Sequence, residues 1–549
     1  MKKSKLIVLS FLLLVNTGCD FNFTSSIISN INSNVSSSSY SSVSSSSTSI
    51  SSSSSSIISS KTSTITSSIS NNSEEKEEEK TIEIYAFNDF HGRISENRSA
   101  NEPGISKLAS YLDNQRKIKD EVVVINSGDY WQDTYESGYN KGKLLTECLD
   151  AMKVDAFTLG NHEFDWGIEV IKENKELSTY TPFLGCNIVN YYTNELVDFV
   201  EPYKIIEKGD IKIGIVGAIG RYQLTSITSS NWEDITFLDH TNIVKDLSDE
   251  LRVEKDCDIV LLSIHADEED TNPYEISKVS PVSKEKYFDA VFCAHSHQNE
   301  ITTYNGVPFL QGGSHANYLS NVSISVLGDE VTNVSYENKP FSVVNSFEES
   351  LEINEIKEKY FTDEYYEKKD KVLGTITGDY VSSTICGRIL AKATYDLLKD
   401  NNINADIVIN NGARSSGEAG EMTSEEIFNM IPFTNKTIVA KNILGSDIIN
   451  ECVRYTNPYY MKDPNLKIED NKYYTVACID YMMLHKNTNR KYDYFKSFNK
   501  ENVIYTIEDY CNVIVENYLL ENKVVDYKDF LGSNSIFLLI STIYIHLFS

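Results

Sequence analysis

Residues 81–92 (TIEIYAFNDFHG) join an alternating, β-rich run to a polar block that holds Asp89 and His91. The same arrangement recurs at residues 155–165 (DAFTLGNHEFD), where a short apolar run leads into a block around His162. Apolar runs of this length, bounded by Gly and Asn, are typical of buried strands. The two stretches therefore predict strands whose carboxyl ends carry side chains able to bind metal or move protons.

Three further apolar runs end in the same kinds of side chain. They are residues 121–129 (EVVVINSGD), ending in Asp129, residues 258–265 (DIVLLSIH), ending in His265, and residues 288–297 (FDAVFCAHSH), ending in His295 and His297. The stretches 105–119 and 241–254 have helical composition. Alternating strands and helices predict a layered α/β fold with ligands outside the carboxyl ends of the strands. One His or one Gly-Asp after a strand is usually structural, so the predicted metal site depends on all five ends together.

Length and charge limit the classes of function. The chain of 549 residues is long enough for two large domains, and its formal net charge is −30 with a pI of about 4.7. This acidity excludes nucleic acid as a bulk partner, because binding its backbone requires clustered Lys and Arg. A small anionic substrate fits where bound metal ions or a few placed arginines reverse the local field. None of the nine cysteines has a partner at CxxC spacing, so a zinc knuckle or thioredoxin-type redox site is not expected.

The amino terminus is typical of an export signal. Three lysines within the first five residues precede an apolar run at residues 6–15, which is short for a membrane span and ends at Gly18-Cys19. This ending resembles the site at which bacterial lipoproteins are cleaved and lipidated, although residues 16 and 17 depart from that pattern. Residues 1–19 are therefore expected to be a signal peptide, with Cys19 as a lipid anchor to the membrane or with simple secretion as the alternative. The expected location is extracytoplasmic, at the cell surface.

Two flanking segments differ in composition from the rest of the chain. Residues 20–80 are dominated by serine up to about residue 70 and close on an acidic run at residues 74–79. Such a segment buries too little apolar surface to offset the entropy of ordering its backbone, so a disordered stalk is expected. Residues 531–549 contain an apolar tail (SIFLLISTIYIHLFS, residues 535–549). A packed helix, an interfacial anchor and the removable tail of a glycolipid-anchor signal stay open for it.

The five strand-end blocks, in this order, resemble the calcineurin-like metallophosphoesterase domain, and specifically its 5'-nucleotidase branch. The NDFHG and GNHEFD blocks are the most specific matches, while Ala294 and Ala266 replace common glycines without removing a ligand. The resemblance implies a four-layer α/β/β/α sandwich over residues 81–345, a linker helix over residues 346–371, and a smaller α+β 5'-nucleotidase C-terminal domain over residues 372–530. It also implies metal-dependent hydrolysis of the phosphate ester of a small nucleotide.

The resemblance further implies a role for each polar side chain at the strand ends. Two divalent ions, zinc, manganese or a similar first-row metal, would share one bridging carboxylate. The ligands would be Asp89, His91, Asp129 and His297 for one ion, and Asp129, Asn161, His265 and His295 for the other. His162 would face the phosphate and stabilise charge at the transition state, and Asp165 would orient it through the other ring nitrogen. A supporting or capping role is the alternative for His162.

The second half of the chain resembles the C-terminal domain of the same branch. Residues 385–398 predict an amphipathic helix, residues 405–409 a buried strand, and Thr423 or Ser424 the cap of a helix. In the family, a loop with Asn and Arg contacts the nucleotide, and aromatic rings stack on the base. The resemblance therefore implies substrate contacts from Asn411, Arg414, Phe433, Tyr481 and Asp493. An ordinary place in the core is the alternative for Phe433.

The same half departs from the family pattern. Ser382 stands where an Arg is common, the loop around Arg414 is one residue short, and an insertion at residues 482–492 separates Tyr481 from Asp493. The open activities therefore include a 2',3'-cyclic-nucleotide phosphodiesterase with 3'-nucleotidase activity, a UDP-sugar hydrolase and a non-nucleotide phosphoesterase. A catalytically inactive surface binding protein or adhesin is the alternative of another class, and the complete ligand set argues against it.

Overall fold

The computed structural model describes residues 78–531, except residues 233, 329, 455–458 and 485–493. The predicted signal peptide with Cys19, the serine-rich stalk up to residue 77, Asp493 and the apolar tail lie outside the described residues. All the described residues belong to one compact unit. Within this part, no helix combines the length and the apolar character needed to pass through a bilayer.

The described chain up to Val344 alternates short strands with helices. Its strands are β1 (Lys80–Phe87), β2 (Glu121–Asn126), β3 (Ala156–Thr158), β4 (Phe183–Leu184), β5 (Ile188–Asn190), β6 (Tyr203–Lys208), β7 (Ile211–Ile219), β8 (Ile235–Phe237), β9 (Ile259–His265), β10 (Ala290–Phe292), β11 (Asn299–Tyr304), β12 (Val307–Gly312), β13 (Tyr318–Leu327) and β14 (Glu330–Pro340). Its helices are α1 (Gly104–Ile118), α2 (Tyr135–Gly138), α3 (Lys143–Ala151), α4 (Ile168–Leu177), α5 (His240–Val253), α6 (Pro273–Ile276) and α7 (Phe341–Val344). The five strands predicted to carry ligands are β1, β2, β3, β9 and β10, and each lies inside its predicted run, apart from β1, which begins one residue earlier.

Two six-stranded sheets organise this part of the chain. The first has the order β14-β13-β1-β2-β3-β4, with β1 to β4 parallel, and the second has the order β11-β12-β10-β9-β7-β6, with β7, β9, β10 and β12 parallel. Parallel neighbours need a crossover connection, which α1, α3 and α5 supply between β1 and β2, β2 and β3, and β7 and β9. Because the strands are parallel, the loops that follow β1, β2 and β3 leave the same edge of the first sheet.

Residue alternation along the strands divides the core into layers. Ile84 and Val123 of the first sheet share a buried cluster with Ile215 and Leu261 of the second, so the two sheets pack face to face. The other face of the first sheet packs against α1 and α3, and the other face of the second packs against α5. The order helix, sheet, sheet, helix is the predicted α/β/β/α sandwich.

The chain beyond this sandwich begins with two helices and continues into smaller sheets. The helices are α8 (Leu351–Tyr360), α9 (Asp363–Lys369), α10 (Ser383–Asp400), α11 (Ser424–Met430), α12 (Gly445–Arg454), α13 (Asp480–Met483) and α14 (Cys511–Asn522). The strands are β15 (Val372–Val381), β16 (Ile407–Asn410), β17 (Gly417–Thr423), β18 (Thr437–Leu444), β19 (Tyr459–Lys462), β20 (Tyr473–Ile479), β21 (Val503–Ile507) and β22 (Val524–Asp526). They form a three-stranded sheet, β17-β15-β22, and a five-stranded sheet, β19-β16-β20-β18-β21, around a core of their own. This is the smaller α+β part that the sequence predicted.

Local signals in this second part match the sequence expectations. The predicted amphipathic helix is α10, and Thr423 caps α11 through a capping box with Glu426. The segment expected to be one linker helix contains two helices. The first helix ends at Tyr360, and the second begins at Asp363 with Thr362 as its N-cap.

Candidate active site

The loops after the strands hold most of the predicted metal ligands in an uncommon backbone conformation. Asp89, His91, Asp129, His295 and His297 have positive φ values, between 47° and 76°. Non-glycine residues rarely adopt this left-handed region. Such strain costs about 1–3 kcal/mol per residue and persists only where surrounding contacts hold it. Five such residues in neighbouring loops indicate a functional site instead of a set of ordinary turns.

Asp89, His91 and His297 form a first group of donor atoms. Nε2 of His297 lies 3.0 Å from Nε2 of His91 and 3.3 Å from Oδ1 of Asp89. The ligand atoms of the three residues all lie within 4.8 Å of one another. The side chains of Asp89 and His91 are fully buried. This mixture of buried oxygen and nitrogen donors suits a first-row divalent ion better than calcium.

Asp129, His265 and His295 form a second group with the same spacing. Oδ2 of Asp129 lies 3.1 Å from Nε2 of His265, which in turn lies 3.2 Å from Oδ1 of Asn161. Asp129 also belongs to a donor group with His91, so it connects the two clusters. The structure therefore brings all seven predicted ligands into one contiguous site.

Backbone carbonyls set which ring nitrogen of two histidines can bind a cation. Nδ1 of His91 lies 3.2 Å from the carbonyl oxygen of Gln132, and Nδ1 of His265 lies 2.9 Å from that of Ser127. A carbonyl oxygen only accepts, so each Nδ1–H donates and each neutral ring turns the lone pair of its Nε2 toward the donor group. Lone pairs and carboxylates that converge in this way repel one another unless a cation lies between them. The residues present therefore fit divalent metal ions.

His162 lies beside both donor groups and has an acidic partner. Its backbone N–H donates to Oδ1 of Asp129 over 2.8 Å, and its Nδ1–H donates to Oδ2 of Asp165 over 2.6 Å. Burial lowers the pKa of His162, but the charges of Asp165 and Asp129 outweigh burial and raise it to about 10. The ring therefore stays protonated near neutral pH and keeps its Nε2–H for an anion.

Burial and charge set different protonation states for the other groups. Burial, together with the charge of His265, lowers the pKa of His295 to about 4. Burial also lowers the pKa of His265, but Asp129 outweighs it and raises that pKa to about 9. Burial raises the pKa of Asp129, yet His265 and His162 hold it well below its usual range. Asp129 is thus an anion and His295 a neutral donor at neutral pH, whereas a metal that binds His265 must displace a proton.

Two buried residues inside the strand-end blocks organise the ligands, and sequence reasoning assigned them no role. Asn88 donates from Nδ2 to Oδ2 of Asp89 over 2.6 Å and accepts at Oδ1 from the backbone N–H of Gly312. Glu163 accepts from the backbone N–H groups of Asp129 and Gly160 over 2.9 and 2.7 Å. Their position next to predicted ligands was the only sequence signal for either of them.

His315 is a third residue without a predicted role. It follows β12, and its ring centroid lies 5.8 Å from that of His91 and 6.3 Å from that of His297. Its Nδ1 lies 2.8 Å from Oε1 of Glu102. No motif surrounds His315 in the sequence, so only the folded chain shows that it stands beside the donor groups.

Two of the predicted substrate contacts, Arg414 and Phe433, lie beside His162. The ring of Phe433 is nearly parallel to that of His162, at 11° with centroids 5.8 Å apart. Cζ of Arg414 lies 5.8 Å from the centroid of the Phe433 ring, over its face. The structure therefore brings Arg414 and Phe433 to the edge of the donor groups.

Of the other predicted substrate contacts, Asn411 and Tyr481 belong to the second part of the chain and Asp493 lies outside the described residues. Asn411 is exposed in the loop after β16. Tyr481 is half-buried against the C-terminal core, and its hydroxyl donates to the carbonyl oxygen of Thr225 over 3.3 Å. Asp493 falls in the undescribed segment 485–493.

Comparisons with known proteins agree with this architecture. The family model described as calcineurin-like phosphoesterase matches residues 82–299. The 5'-nucleotidase of Vibrio vulnificus (strain CMCP6) is 24% identical over 421 residues, which cover 67% of this chain and 74% of that relative. The apyrase of Tabanus yao is 24% identical over 411 residues, covering 67% and 72%. The solved structure of a 5'-nucleotidase precursor from Thermus thermophilus matches with a TM-score of 0.64 at 15% identity, covering 81% of this chain and 97% of that one. These matches confirm the predicted fold class.

Proposed function

We propose that the chain is a phosphoester hydrolase of the 5'-nucleotidase family of calcineurin-like phosphoesterases, whose members it resembles, and that it hydrolyses nucleoside 5'-monophosphates with two divalent metal ions. The observation that carries the proposal is the meeting, at one place, of seven metal-type ligands, the pair of His162 and Asp165, and the side chains of Arg414 and Phe433. Hydrolysis of a phosphate ester requires the metal ligands and the pair of His162 and Asp165. Arg414 and Phe433 suit the rest of a nucleotide.

The donor set supports zinc or manganese as the metal. Asp89, His91, Asp129 and His297 would hold one ion, and Asp129, Asn161, His265 and His295 the other. When bound, two such ions hold the phosphate oxygens, lower the pKa of a water molecule so that it can attack near neutral pH, and stabilise charge during in-line displacement. Only Asp89 and Asp129 among these ligands carry a full negative charge, so the loaded site attracts a phosphate dianion although the whole chain is acidic.

His162 has the geometry of a donor to the phosphate. Because Asp165 takes its Nδ1–H, the ring presents Nε2–H, and its raised pKa keeps that proton in place. We assign to His162 a hydrogen bond to a phosphate oxygen, which strengthens as negative charge builds up on that oxygen. Asp165 acts through His162 by holding its orientation.

The residues at the rim support a nucleotide as the substrate. Arg414 would contact the phosphate or the ribose, and Phe433 would stack on the base. Asn411, Tyr481 and Asp493 are further proposed contacts that rest on the family resemblance alone. We also propose that residues 81–345 are the catalytic domain and residues 372–530 the substrate-binding domain, because each part has its own sheets and its own core.

We propose an extracytoplasmic location for the enzyme, with Cys19 as a lipid anchor. Support for this comes from the sequence of residues 1–19 and the serine-rich stalk after it. Radiolabelled fatty acid should be incorporated into the wild-type chain in a bacterial host and not into Cys19→Ala. Equal labelling of the two proteins would contradict the anchor.

The test of the activity is phosphate release from 5'-AMP by the purified protein, stripped of metal and then supplied with manganese or zinc. We expect release only after metal addition, and none from Asp129→Asn, which removes the shared carboxylate. Activity on a 2',3'-cyclic nucleotide or an aryl phosphate but not on 5'-AMP would retain the phosphoesterase and overturn the 5'-nucleotidase assignment. Metal binding without release from any of the three substrates would favour a binding protein.

A further inference from the structure

Asp133 combines backbone strain with burial close to the metal ligands. Its φ is 136°, in a region that L-residues avoid and glycine enters freely. The side chain is only 8% exposed, and its Oδ1 is buried with no hydrogen-bond partner among the described residues. Both the strain and the unpaired oxygen are costs to folding. A residue that is retained although its backbone and its side chain both destabilise the fold is expected to have a function.

The other carboxylate oxygen of Asp133 holds Arg414, which is 281 residues away in the sequence. Oδ2 accepts from Nε of Arg414 over 3.3 Å and from Nη2 over 3.2 Å. The same oxygen lies 3.9 Å from Nδ1 of His91. Asp133 therefore joins a residue of the donor groups to an arginine of the second part of the chain.

This contact determines the direction of the guanidinium. A guanidinium is a planar fork, and Asp133 takes the edge formed by Nε and Nη2. The edge that carries Nη1 therefore points away from Asp133. The backbone N–H of Arg414 donates to the carbonyl oxygen of Met430 over 2.9 Å, which fixes the base of the side chain. Phe433, beside Arg414, stacks on His162.

We propose that Asp133 is a positioning residue for the phosphate of the substrate: it orients Arg414 so that the free edge of the guanidinium meets the phosphate at the mouth of the metal site. This inference rests on the proposed function and identifies Asp133 as the residue that orients Arg414 before the phosphate binds. Arginine binds phosphate through two parallel N–H groups, so a guanidinium whose direction is already set loses less entropy on binding. Asp133 does not touch the substrate and acts only through Arg414.

A purely structural ion pair is the competing interpretation. The side chain of Arg414 is 38% exposed and that of Asp133 only 8%, and the cost of removing such a half-buried pair from water offsets much of its attraction, so its net contribution to stability is small. That small contribution does not offset a strained backbone and a buried oxygen without a described partner. Glycine at residue 133 would remove both costs, so the stability of the fold gives no reason to keep aspartate there.

Glycine adopts the φ value of residue 133 without strain, so Asp133→Gly removes the carboxylate without damaging the backbone. Asp133→Gly should fold with a melting temperature equal to or above that of the wild type, whereas kcat/KM for 5'-AMP falls about 5- to 20-fold, mainly through KM. Asp133→Asn, which keeps the shape of the side chain and the same backbone strain, should show a loss in the same direction, because a neutral amide holds the guanidinium more weakly than a carboxylate does. In the Arg414→Ala background, Asp133→Gly should change kcat/KM less than about twofold, because its effect passes through that arginine.

Binding of inorganic phosphate gives a readout that does not depend on nucleotide turnover. Calorimetry on the manganese-loaded protein should show weaker phosphate binding in Asp133→Gly than in the wild type, and no difference between the two in the Arg414→Ala background. If the wild type binds phosphate with this pattern yet does not hydrolyse 5'-AMP, the positioning role stands and the proposed function fails. Equal losses in both backgrounds, no loss in either, or a melting temperature lowered by more than about 5 °C in Asp133→Gly would overturn the positioning role.

Discussion

His162 and His295 lie in the same site, yet burial and neighbouring charge move their pKa values in opposite directions, to about 10 and about 4. Burial lowers both values. For His162 the carboxylates of Asp165 and Asp129 outweigh burial, whereas for His295 the nearby His265 adds to it. The same type of side chain is thus protonated at His162 and neutral at His295 near neutral pH. Residue type alone could not distinguish these roles.

Replacing His162 tests its assignment as a donor to the phosphate. We expect His162→Asn to lower kcat about 10²- to 10³-fold while the metal content per chain stays that of the wild type. Asp165→Asn, which leaves the ring in place but removes its carboxylate partner, should cause a smaller loss. A ring nitrogen of His162 also lies close to the ligand atoms of His91 and Asp129. Elemental analysis of the variant therefore distinguishes a donor to the phosphate from a metal ligand. Loss of bound metal in His162→Asn would make His162 a ligand.

Asp270 is predicted to make the stability of the protein depend on pH. Burial and the charge of Asp267 raise the pKa of Asp270 from 3.8 to about 6, and its Oδ2 is buried without a described partner. Between these two values the folded state binds more protons than the unfolded state, so stability falls as pH rises from about 4 to about 6. Asp270→Asn should therefore raise the melting temperature at pH 8 and leave it unchanged near pH 3.5.

The matched control for this experiment is Asp198→Asn, at a carboxylate whose side chain is 83% exposed. Its effect on the melting temperature should be small at both pH values, because an exposed ion pair contributes about 0–1 kcal/mol. A wild-type advantage over Asp270→Asn at pH 8 would show that the charged form of Asp270 stabilises the fold.

At the scale of elements, the site depends on how closely the loops after β2, β3 and β9 approach one another. Gly160 follows β3, and a Cβ added to it would come within 2.4 Å of Oδ1 of Asp129 and 2.8 Å of Nδ1 of His265. Distances this short cannot be relieved by small shifts of the loop. The proposed metal site therefore requires glycine at this residue.

Gly160→Ala should displace Asp129 and His265 and reduce the bound metal to less than about half of the wild-type content, because metal affinity depends on ligand position. Elemental analysis and 5'-AMP hydrolysis should report the loss together. The control is Gly209→Ala in the turn between β6 and β7, where φ is 63° and the nearest atom to an added Cβ lies 3.6 Å away. It should lose about 1 kcal/mol of stability through backbone strain and keep its metal. Full metal content in Gly160→Ala would contradict this account.

At the scale of the whole molecule, the ligands come from loops of both six-stranded sheets, with Asp89, Asp129 and Asn161 on one and His265 and His295 on the other. Metal bound to these donors would therefore link the two sheets of the sandwich at one edge. A ligand that binds only the folded state stabilises that state by mass action.

Removing the metal with a chelator should lower the melting temperature of the protein, and manganese or zinc should restore it. At a metal concentration about 100 times the dissociation constant, the gain is about 2.7 kcal/mol, which corresponds to about 3 °C for a folded part of this size. Calorimetric melting of the same sample before and after chelation measures the change. Calcium at equal concentration is the control and should restore less, because the imidazole ligands suit it poorly.

The layered α/β fold and the strand ends that carry the proposed metal ligands could be predicted from the sequence alone. These properties are local: periodicity fixes which runs become strands, and Asp89, Asp129 and His265 stand directly after such runs. In parallel strands the carboxyl ends share an edge, so the order of the blocks was enough to group the donors of each sheet, whereas the packing of the two sheets brought the two groups together. The cap of α11 at Thr423 was also predictable, since a capping box involves residues only three apart.

The distant residues that support the site could be identified only in the folded chain. Asp133 meets Arg414 across 281 residues, and His315 stands beside His91 without any motif around it. The protonation of His162 and His295 likewise depends on burial and on charges brought together by packing. Such contacts depend on how the packed sheets and loops approach one another, and this approach is a property of the whole fold that no short stretch of sequence contains.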